Sequence, residues 1–383
     1  MNGEQKPSSL IRFHEPYVTG REIEYLQQVV AGGQFAGNGR FTMRCQELLE
    51  LRYGVTKVLL THSCTAALEM SALLLNLVPG DEVILPSYTF STTASSFLRT
   101  GARLVFCEVD PDTMMLDVSD VLGKITSRTR AIIPVHYGGI ASDINGVLSV
   151  ASTRGIAVVE DAAQGLESFL DGKPLGTFGR FGCISFHETK NLHAGLAGAL
   201  YVNDACDIDR ATFIWERGTN RQNQLKGLVD KYTWVELGSS FYPSELQAAF
   251  LLAQLEAIDR NKAERKLIHE AYVEGLQPLE LSGRCRLPRV GPGRSLNFHA
   301  FFLMFPSRDD CDRVRQKLVS EGIMAYIGYV PLHSSPMGRK LGYRPEDLPV
   351  TEEMAARVLR LPFHNNLTLE QVRRICDCIA LCN

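Results

Sequence analysis

Between Lys57 and Asp161 short apolar runs alternate with polar turns and stretches of helical apolar spacing. The apolar runs are Lys57–Thr61, Glu82–Pro86, Arg103–Val109, Ala131–His136 and Ala157–Asp161. Ala66–Leu77, Phe90–Leu98 and Ile144–Thr153 are the helical stretches among them. Strands this short and this apolar are buried on both faces, and helical crossovers make neighbouring strands parallel. The pattern predicts an α/β fold with a largely parallel sheet covered on both faces. Cys183–His187 and Ala199–Asn203 follow closely, as further strands would. Upstream, Arg21–Val30 and Phe41–Leu51 have helical spacing and flank a glycine-rich turn, Gly32–Gly39.

The chain has 383 residues, more than one core ordinarily holds, so a large and a small domain are expected. We place a polar tail at 1–10, a large domain at 11–260 and a small C-terminal domain at 261–383. Ser244–Val273 reads as one long helix linking the two. The small domain mixes strands (Ala300–Phe305, Ala325–Tyr329) with helices (Asp309–Glu321, Leu369–Ala380). The net charge of −3 offers no basic field for nucleic acid. The start, MNGEQKPSSLIRF, lacks the apolar core of a signal peptide. The most apolar stretch, Val58–Val78, is broken by His62 and Glu69, which argues against a membrane span and for a cytoplasmic protein. Ten cysteines show no zinc spacing, and Cys376, Cys378 and Cys382 read as plain thiols, so no metal is expected.

Sites in open α/β sheets form beyond the carboxyl ends of the strands. Five polar segments fall at such ends: Ser63-Cys64-Thr65, Pro86–Phe90, Asp161–Gln164, Ser185 and Lys190. A lysine at a cleft, as Lys190 would be, forms a Schiff base if its pKa is lowered; the alternative is a solvated loop lysine. Asp161 could salt-bridge a protonated pyridine nitrogen, or equally cap a helix or bind magnesium. Ser63-Cys64-Thr65 opens a helix, whose free N–H groups suit a phosphate; a simple cap is the alternative. Ser185 could add a hydroxyl to the same phosphate. Phe90 could stack on a flat ring or simply belong to the core. In this order the segments supply a phosphate cradle, a stacking face, a pyridinium partner and a Schiff-base lysine.

Longer runs carry a resemblance. They are Ser63–Met70, Leu85–Phe90, Pro134–Tyr137, Val159–Gly165, Ser185–Asn191, Arg217–Arg221, Asp230–Trp234 and Pro331–His333. From Ile11 to about Leu381 the chain resembles the sugar-nucleotide aminotransferases of the DegT/DnrJ/EryC1/StrS family. The resemblance implies the fold-type I architecture of pyridoxal-phosphate enzymes, as in aspartate aminotransferase. Within the family the likeness is greatest to transaminases that convert dTDP-4-keto-6-deoxyglucose to dTDP-4-amino-4,6-dideoxygalactose.

By this resemblance Lys190 attaches the cofactor and Asp161 pairs with its ring nitrogen. Gln164 meets the ring hydroxyl oxygen, Phe90 stacks on the ring, and Cys64, Thr65 and Ser185 hold the phosphate. Many members carry Gly-x-Asn-x-Arg, whose asparagine reaches the neighbouring subunit's cofactor phosphate. Here the run is Gly238-Ser239-Ser240-Phe241-Tyr242, so Ser240 takes that position. A homodimer with shared sites is implied. Arg217 and Arg221 are candidates for the anionic diphosphate, and Tyr329 and His333 for the sugar or phosphate. Surface ion pairing is the alternative reading of these residues.

The implied reaction moves an amino group from L-glutamate to a nucleotide-linked keto sugar, with the cofactor alternating between pyridoxal and pyridoxamine phosphate. A sugar 3-aminotransferase of the same family is the nearest rival. A dehydratase would need histidine at position 190. A non-enzymatic cofactor-binding regulator would need a fused DNA-binding segment, for which the tail is too short. A magnesium-dependent nucleotide-triphosphate enzyme would need a Gly-x-x-x-x-Gly-Lys loop, which is missing.

Overall fold

The apolar runs become strands of one sheet, and their polar ends gather along one edge. The computed structural model describes residues 10–382, so the tail expected at 1–10, apart from Leu10, lies outside the described residues. The strands are β1 (Lys57–Thr61), β2 (Glu82–Pro86), β3 (Arg103–Cys107), β4 (Thr129–Ile132), β5 (Ala157–Asp161), β6 (Phe169–Leu170), β7 (Lys173–Pro174), β8 (Phe181–Ser185), β9 (Gly198–Val202), β10 (Arg294–Ser295), β11 (Phe302–Met304), β12 (Tyr326–Ile327) and β13 (Val358–Arg360). The helices are α1 (Glu22–Gly32), α2 (Arg40–Tyr53), α3 (Cys64–Leu74), α4 (Ser91–Leu98), α5 (Val118–Lys124), α6 (Ile144–Ser152), α7 (Ile208–Trp215), α8 (Arg221–Leu225), α9 (Glu245–Glu256), α10 (Ile258–Leu281), α11 (Arg308–Ser320), α12 (Pro336–Lys340), α13 (Pro349–Arg357) and α14 (Leu369–Ala380).

The main sheet has seven strands in the order β1-β9-β8-β5-β4-β2-β3. β3, β2, β4, β5 and β8 run parallel. β9 alone reverses, pairing antiparallel with β8 and β1, so β1 points the same way as the parallel set. The carboxyl ends of β1, β2, β5 and β8 therefore face a common edge. β2, β8 and β9 are buried along their whole length, as apolar runs under two helical layers must be.

The run expected as a strand over Ala131–His136 ends at Ile132. Pro134 has no N–H to give to a ladder, although Val135 still bridges Asp161. The expected continuous helix over Ser244–Val273 is two helices, with Ala257 as the break. Tertiary packing sets that break, since no glycine or proline lies there. α9, opened by a Ser244–Gln247 capping box, packs on α1 and α2, whereas α10 leaves to pack on α14.

α10 leads into a second core built from Tyr272, Leu276, Phe301, Leu303, Leu318 and Ile375. Tyr272 is fully buried and stacks on Phe301 at 4.8 Å. α14 faces this core with Val372, Ile375, Cys376 and Ile379, the i, i+3, i+4, i+7 spacing of one helix face. Removing one such side chain, Leu276→Ala for example, costs about 2–5 kcal/mol. β11, β13 and β12 form its three-stranded sheet. Ile11, placed by the sequence with the large domain, packs instead in this core and bridges Ile323. Among the described residues no helix is long and apolar enough to cross a membrane.

Candidate active site

The edge formed by the strand ends encloses a cavity of about 420 Å³. It brings together Cys64, Thr65, Phe90, Asp161, Gln164, Ser185 and Lys190, and Tyr329 reaches it from the C-terminal part of the chain.

Lys190 follows β8 on a tight turn in which its N–H donates to the His187 carbonyl at 2.8 Å. The turn is clamped from several sides. His14 Nε2 meets the Glu188 carbonyl at 2.7 Å, Asn191 donates to the Asn297 carbonyl at 2.8 Å, and Asn261 donates to the Asn191 carbonyl at 2.9 Å. Burial lowers the Lys190 pKa to about 8, against the opposing pull of Cys64 and Asp161. An amine near that value is still mostly protonated at pH 7 but holds a far larger neutral, nucleophilic fraction than a solvated lysine does, which favours Schiff-base formation.

Asp161 ends β5 and is 4% exposed. Thr93 Oγ1 donates to its Oδ2 at 2.6 Å, and the Ala163 N–H donates to Oδ1 at 3.1 Å. The residues after Asp161 form turns and not a helix, which removes the helix-cap reading. A carboxylate accepts about four hydrogen bonds, so capacity remains for a pyridinium N–H. Thr93, itself bonded to Thr89 at 2.9 Å, was not anticipated from the sequence. Its only sequence signal is the hydroxyl run Ser91-Thr92-Thr93 just beyond a strand end.

The helix expected from Ala66 begins two residues earlier, at Cys64. Ser63 Oγ accepts from the Ala66 N–H at 3.1 Å. The first-turn N–H groups of Cys64 and Thr65 have no intrahelical acceptor and sit at the positive end of the helix dipole. Gly198 of β9 passes so close that an added Cβ would overlap the Cys64 nitrogen. Ser185 Oγ, on the same cavity wall, accepts from the His187 N–H at 3.3 Å.

Gln164 is oriented by its neighbours. Its Oε1 accepts from the Gly138 N–H at 2.7 Å, and its Nε2 donates to Tyr329 Oη at 3.1 Å. The second Nε2 proton remains for a ligand oxygen. Phe90, just before α4, is 56% exposed, with its ring 6.3 Å from that of Tyr329. These groups fit a phosphorylated pyridine aldehyde: an anion cradle, an open aromatic face, a carboxylate for the ring nitrogen, a donor for a ring oxygen and a desolvated lysine.

Four other candidates lie off this cavity. His333 is fully buried, with Nδ1 against Ser87 Oγ at 2.6 Å and its N–H donating to the same oxygen at 3.0 Å. It ties the 329–333 segment to the end of β2. Arg221 pairs with buried Glu216 at 2.9 Å. Arg217 is exposed, with its guanidinium 5.4 Å from the Tyr242 ring. Ser240 is exposed and bridges Glu216 through the backbone. All three belong to a segment that also exposes Leu228, Tyr232, Trp234, Val235 and Leu237.

Comparison with known proteins follows the same lines. A sequence profile described as the DegT/DnrJ/EryC1/StrS aminotransferase family matches residues 16–380. A UDP-N-acetyl-3-dehydro-alpha-D-glucosamine 3-aminotransferase from Acidithiobacillus ferrooxidans is 33% identical, over 83% of this chain and 82% of its own length. A dTDP-4-dehydro-2,3,6-trideoxy-D-glucose 4-aminotransferase from Saccharopolyspora spinosa is 29% identical, over 96% of this chain and 95% of its own. The crystal structure of the aminotransferase TlmJ from Streptoalloteichus hindustanus superposes with a TM-score of 0.88 at 28% identity, covering 97% of this chain and 98% of that one.

Proposed function

The chain belongs to the DegT/DnrJ/EryC1/StrS aminotransferase family and is a pyridoxal-phosphate-dependent sugar aminotransferase of fold type I; from that premise we propose that it aminates dTDP-4-keto-6-deoxy-D-glucose at C4, with L-glutamate as donor. The observation that carries the chemistry is the facing pair of a desolvated Lys190 and a doubly hydrogen-bonded Asp161 in one cavity.

When bound, pyridoxal phosphate supplies the electron sink that lets a hydrogen leave the amino-bearing carbon as a proton. In this reading the protein contributes position, charge and a movable base. Asp161 keeps the ring nitrogen protonated, and Thr93 keeps Asp161 in place. The N–H groups of Cys64 and Thr65 and the Ser185 hydroxyl hold the phosphate. Gln164 offers its free Nε2 proton to the ring oxygen, and Phe90 covers one ring face. Lys190 Nζ, once free, takes the proton from the donor's α-carbon and returns one to C4 of the sugar in the second half of the cycle.

Position C4 is supported by reach. The diphosphate anchors the hexose at C1, and C4 lies across the ring from C1. An extended pose therefore delivers C4 to within about 3–3.5 Å of the reacting atom at the cavity floor, whereas C3 needs the ring to turn. The Saccharopolyspora relative, named for a dTDP-4-dehydro sugar, covers almost the whole chain. A second reading, amination at C3, draws on the Acidithiobacillus relative.

The 216–240 segment fits a role in a homodimer, in which Arg217, Arg221 and Ser240 serve the partner's cavity. Its exposed apolar side chains would be covered there. The test is a parallel assay of dTDP-4-keto-6-deoxyglucose and a dTDP-3-keto sugar with L-glutamate, with NMR of the products. The proposal expects faster amination at C4, and faster reaction of the 3-keto sugar overturns it.

A further inference from the structure

We propose that residues 11–17 form an acid-labile strap over the Lys190 turn, with His14 as the positioning residue and the imidazoles of His14, His193 and His364 as its clasps. The proposal rests on the reading of Lys190 as the reactive amine and goes beyond it, since no group of the strap takes part in the chemistry.

The strap runs from one core to the other. At its start, Ile11 donates to the Gly322 carbonyl at 2.9 Å and accepts from the Met324 N–H at 3.0 Å, and the Phe13 carbonyl accepts from the Phe363 N–H at 3.2 Å. At its end, the Tyr17 carbonyl accepts from Gln254 of α9 at 2.8 Å. Beyond the Ile11 bridge it has neither ladder nor helix, so side chains must fix it. Three of these are histidines. His364 Nε2 meets the Arg12 carbonyl at 3.2 Å, and His193 Nε2 meets the Tyr17 carbonyl at 2.8 Å. His14, on the strap itself, sends Nε2 to the Glu188 carbonyl at 2.7 Å, two residues before Lys190. Phe13 and His14 line a cavity of about 110 Å³ together with Thr189 and Lys190, so the strap is a wall beside the reactive amine.

A carbonyl oxygen only accepts, so each ring carries its proton on Nε2 and leaves Nδ1 bare. The surroundings hold to that neutral form. His364 Nδ1 is buried without a partner, and His193 Nδ1 accepts from the Gly195 N–H at 3.4 Å. A second ring proton would be buried without an acceptor at His364 and would face an N–H at His193. Arg265 of α10 adds a fixed cation beside His14 and His364, and its own bonds go to the neutral oxygens of Phe298, His299 and Asn365. His299 is bonded to Asn191, and burial keeps it neutral. His187 adds to the cationic side at His193. The opposing carboxylates are Glu15 beside His364, and Glu22 and Glu188 beside His193; Glu264 is engaged by Tyr17 and Asn365. Burial prevails and lowers all three imidazoles, His14 to about 4.

An imidazole lowered in the clasped state supports that state fully above about 6.5 and progressively less as pH falls towards 4, because the freed ring binds a proton that the clasped ring excludes. His14 alone then raises the open-to-clasped ratio roughly 30-fold between pH 7.5 and pH 5. On opening, the Glu188 carbonyl loses His14 and the Lys190 turn loses one of its clamps.

The test uses the holoenzyme. Hydrogen–deuterium exchange, corrected for its intrinsic pH dependence, is measured at pH 7.5 and pH 5 on peptides covering 11–17 and on peptides covering β5. We expect protection of the strap to fall at least about tenfold while β5 changes less than about twofold. Glutamine keeps an Nε2–H donor and takes up no proton, so the triple variant His14→Gln, His193→Gln, His364→Gln should keep its strap protected at both pH values. Positioning is read from single-turnover cofactor absorbance at pH 7.5. His14→Ala should slow both half-reactions about tenfold at saturating substrate with cofactor content and half-saturation concentrations little changed, and His14→Gln should recover most of the loss. A strap that loses protection only in step with β5, or a glutamine triple variant that keeps the acid response, overturns the clasp; if the triple variant fails to fold, the wild-type comparison decides alone. His14→Ala with wild-type rate constants, or His14→Gln as slow as His14→Ala, overturns the positioning role. Cofactor attached to a lysine other than Lys190 overturns the positioning role together with the reading beneath it, whereas the exchange data judge the clasp independently.

Discussion

Replacing Lys190 with methionine should stabilise the cofactor-free enzyme, and more so at pH 7 than at pH 9.5. Burial depresses the Lys190 pKa from 10.5 to about 8. Unfolding returns the side chain to water, so between those values the unfolded chain binds a proton that the native chain does not. Stability of the wild type therefore rises with pH across that window, and below it the native state bears the full cost of a buried ammonium. The shift corresponds to about 3 kcal/mol at pH 7, falling to about 1.5 kcal/mol at pH 9.5. Methionine has similar length and no charge, so Lys190→Met removes this term. Guanidinium chloride unfolding of both apo proteins at both pH values measures it. Packing differences cancel between the two pH values, leaving an expected drop of about 2 kcal/mol in the variant's advantage. An advantage that does not change with pH, or one that grows from pH 7 to pH 9.5, would refute a desolvated lysine.

The remaining predictions concern its neighbours. Asp161→Asn should lower turnover by at least roughly two orders of magnitude while the cofactor stays bound, because the ring nitrogen loses its anionic partner; steady-state kinetics beside a cofactor titration checks this. Thr93→Val removes a hydrogen bond to that carboxylate, so single-turnover rates should fall about tenfold or more with cofactor content unchanged. His333→Ala removes the imidazole Nδ1 from the buried Ser87 hydroxyl, which keeps only the backbone N–H of residue 333, and should cost about 1–3 kcal/mol of stability with little change in the KM for the nucleotide sugar, read by urea unfolding and initial rates.

How much of this was legible in the sequence differs from element to element. β1 and β2 coincide with the expected runs because polar residues bound each apolar stretch on both sides, and β5 because it follows the Arg154-Gly155 turn closely and ends on the charged pair Glu160-Asp161. α14 is equally clear, with a Thr368–Gln371 capping box at its start and one apolar face. The break at Ala257 carries no local signal, because it is set by which helices α9 and α10 pack against. The cavity that gathers Cys64, Thr65, Asp161, Ser185 and Lys190 was legible since these residues sit at or just beyond strand ends, which alternation locates. Thr93 was not, because a threonine in the first turn of a helix looks ordinary until Asp161 is seen beside it. Arg217, Arg221 and Ser240 lie off the cavity of their own chain, and a single chain's sequence says nothing of which surface a partner covers.

The proposed chemistry requires Lys190 to be the point of covalent attachment for the cofactor. Borohydride reduction of the yellow holoenzyme, followed by proteolysis and mass spectrometry of the peptides, tests it directly. Bleaching and a single reduced pyridoxyl group on the peptide carrying Lys190 are expected, with Lys190→Ala unlabelled under the same treatment. A pyridoxyl group found stoichiometrically on another lysine, or a holoenzyme that borohydride leaves unlabelled, would contradict it.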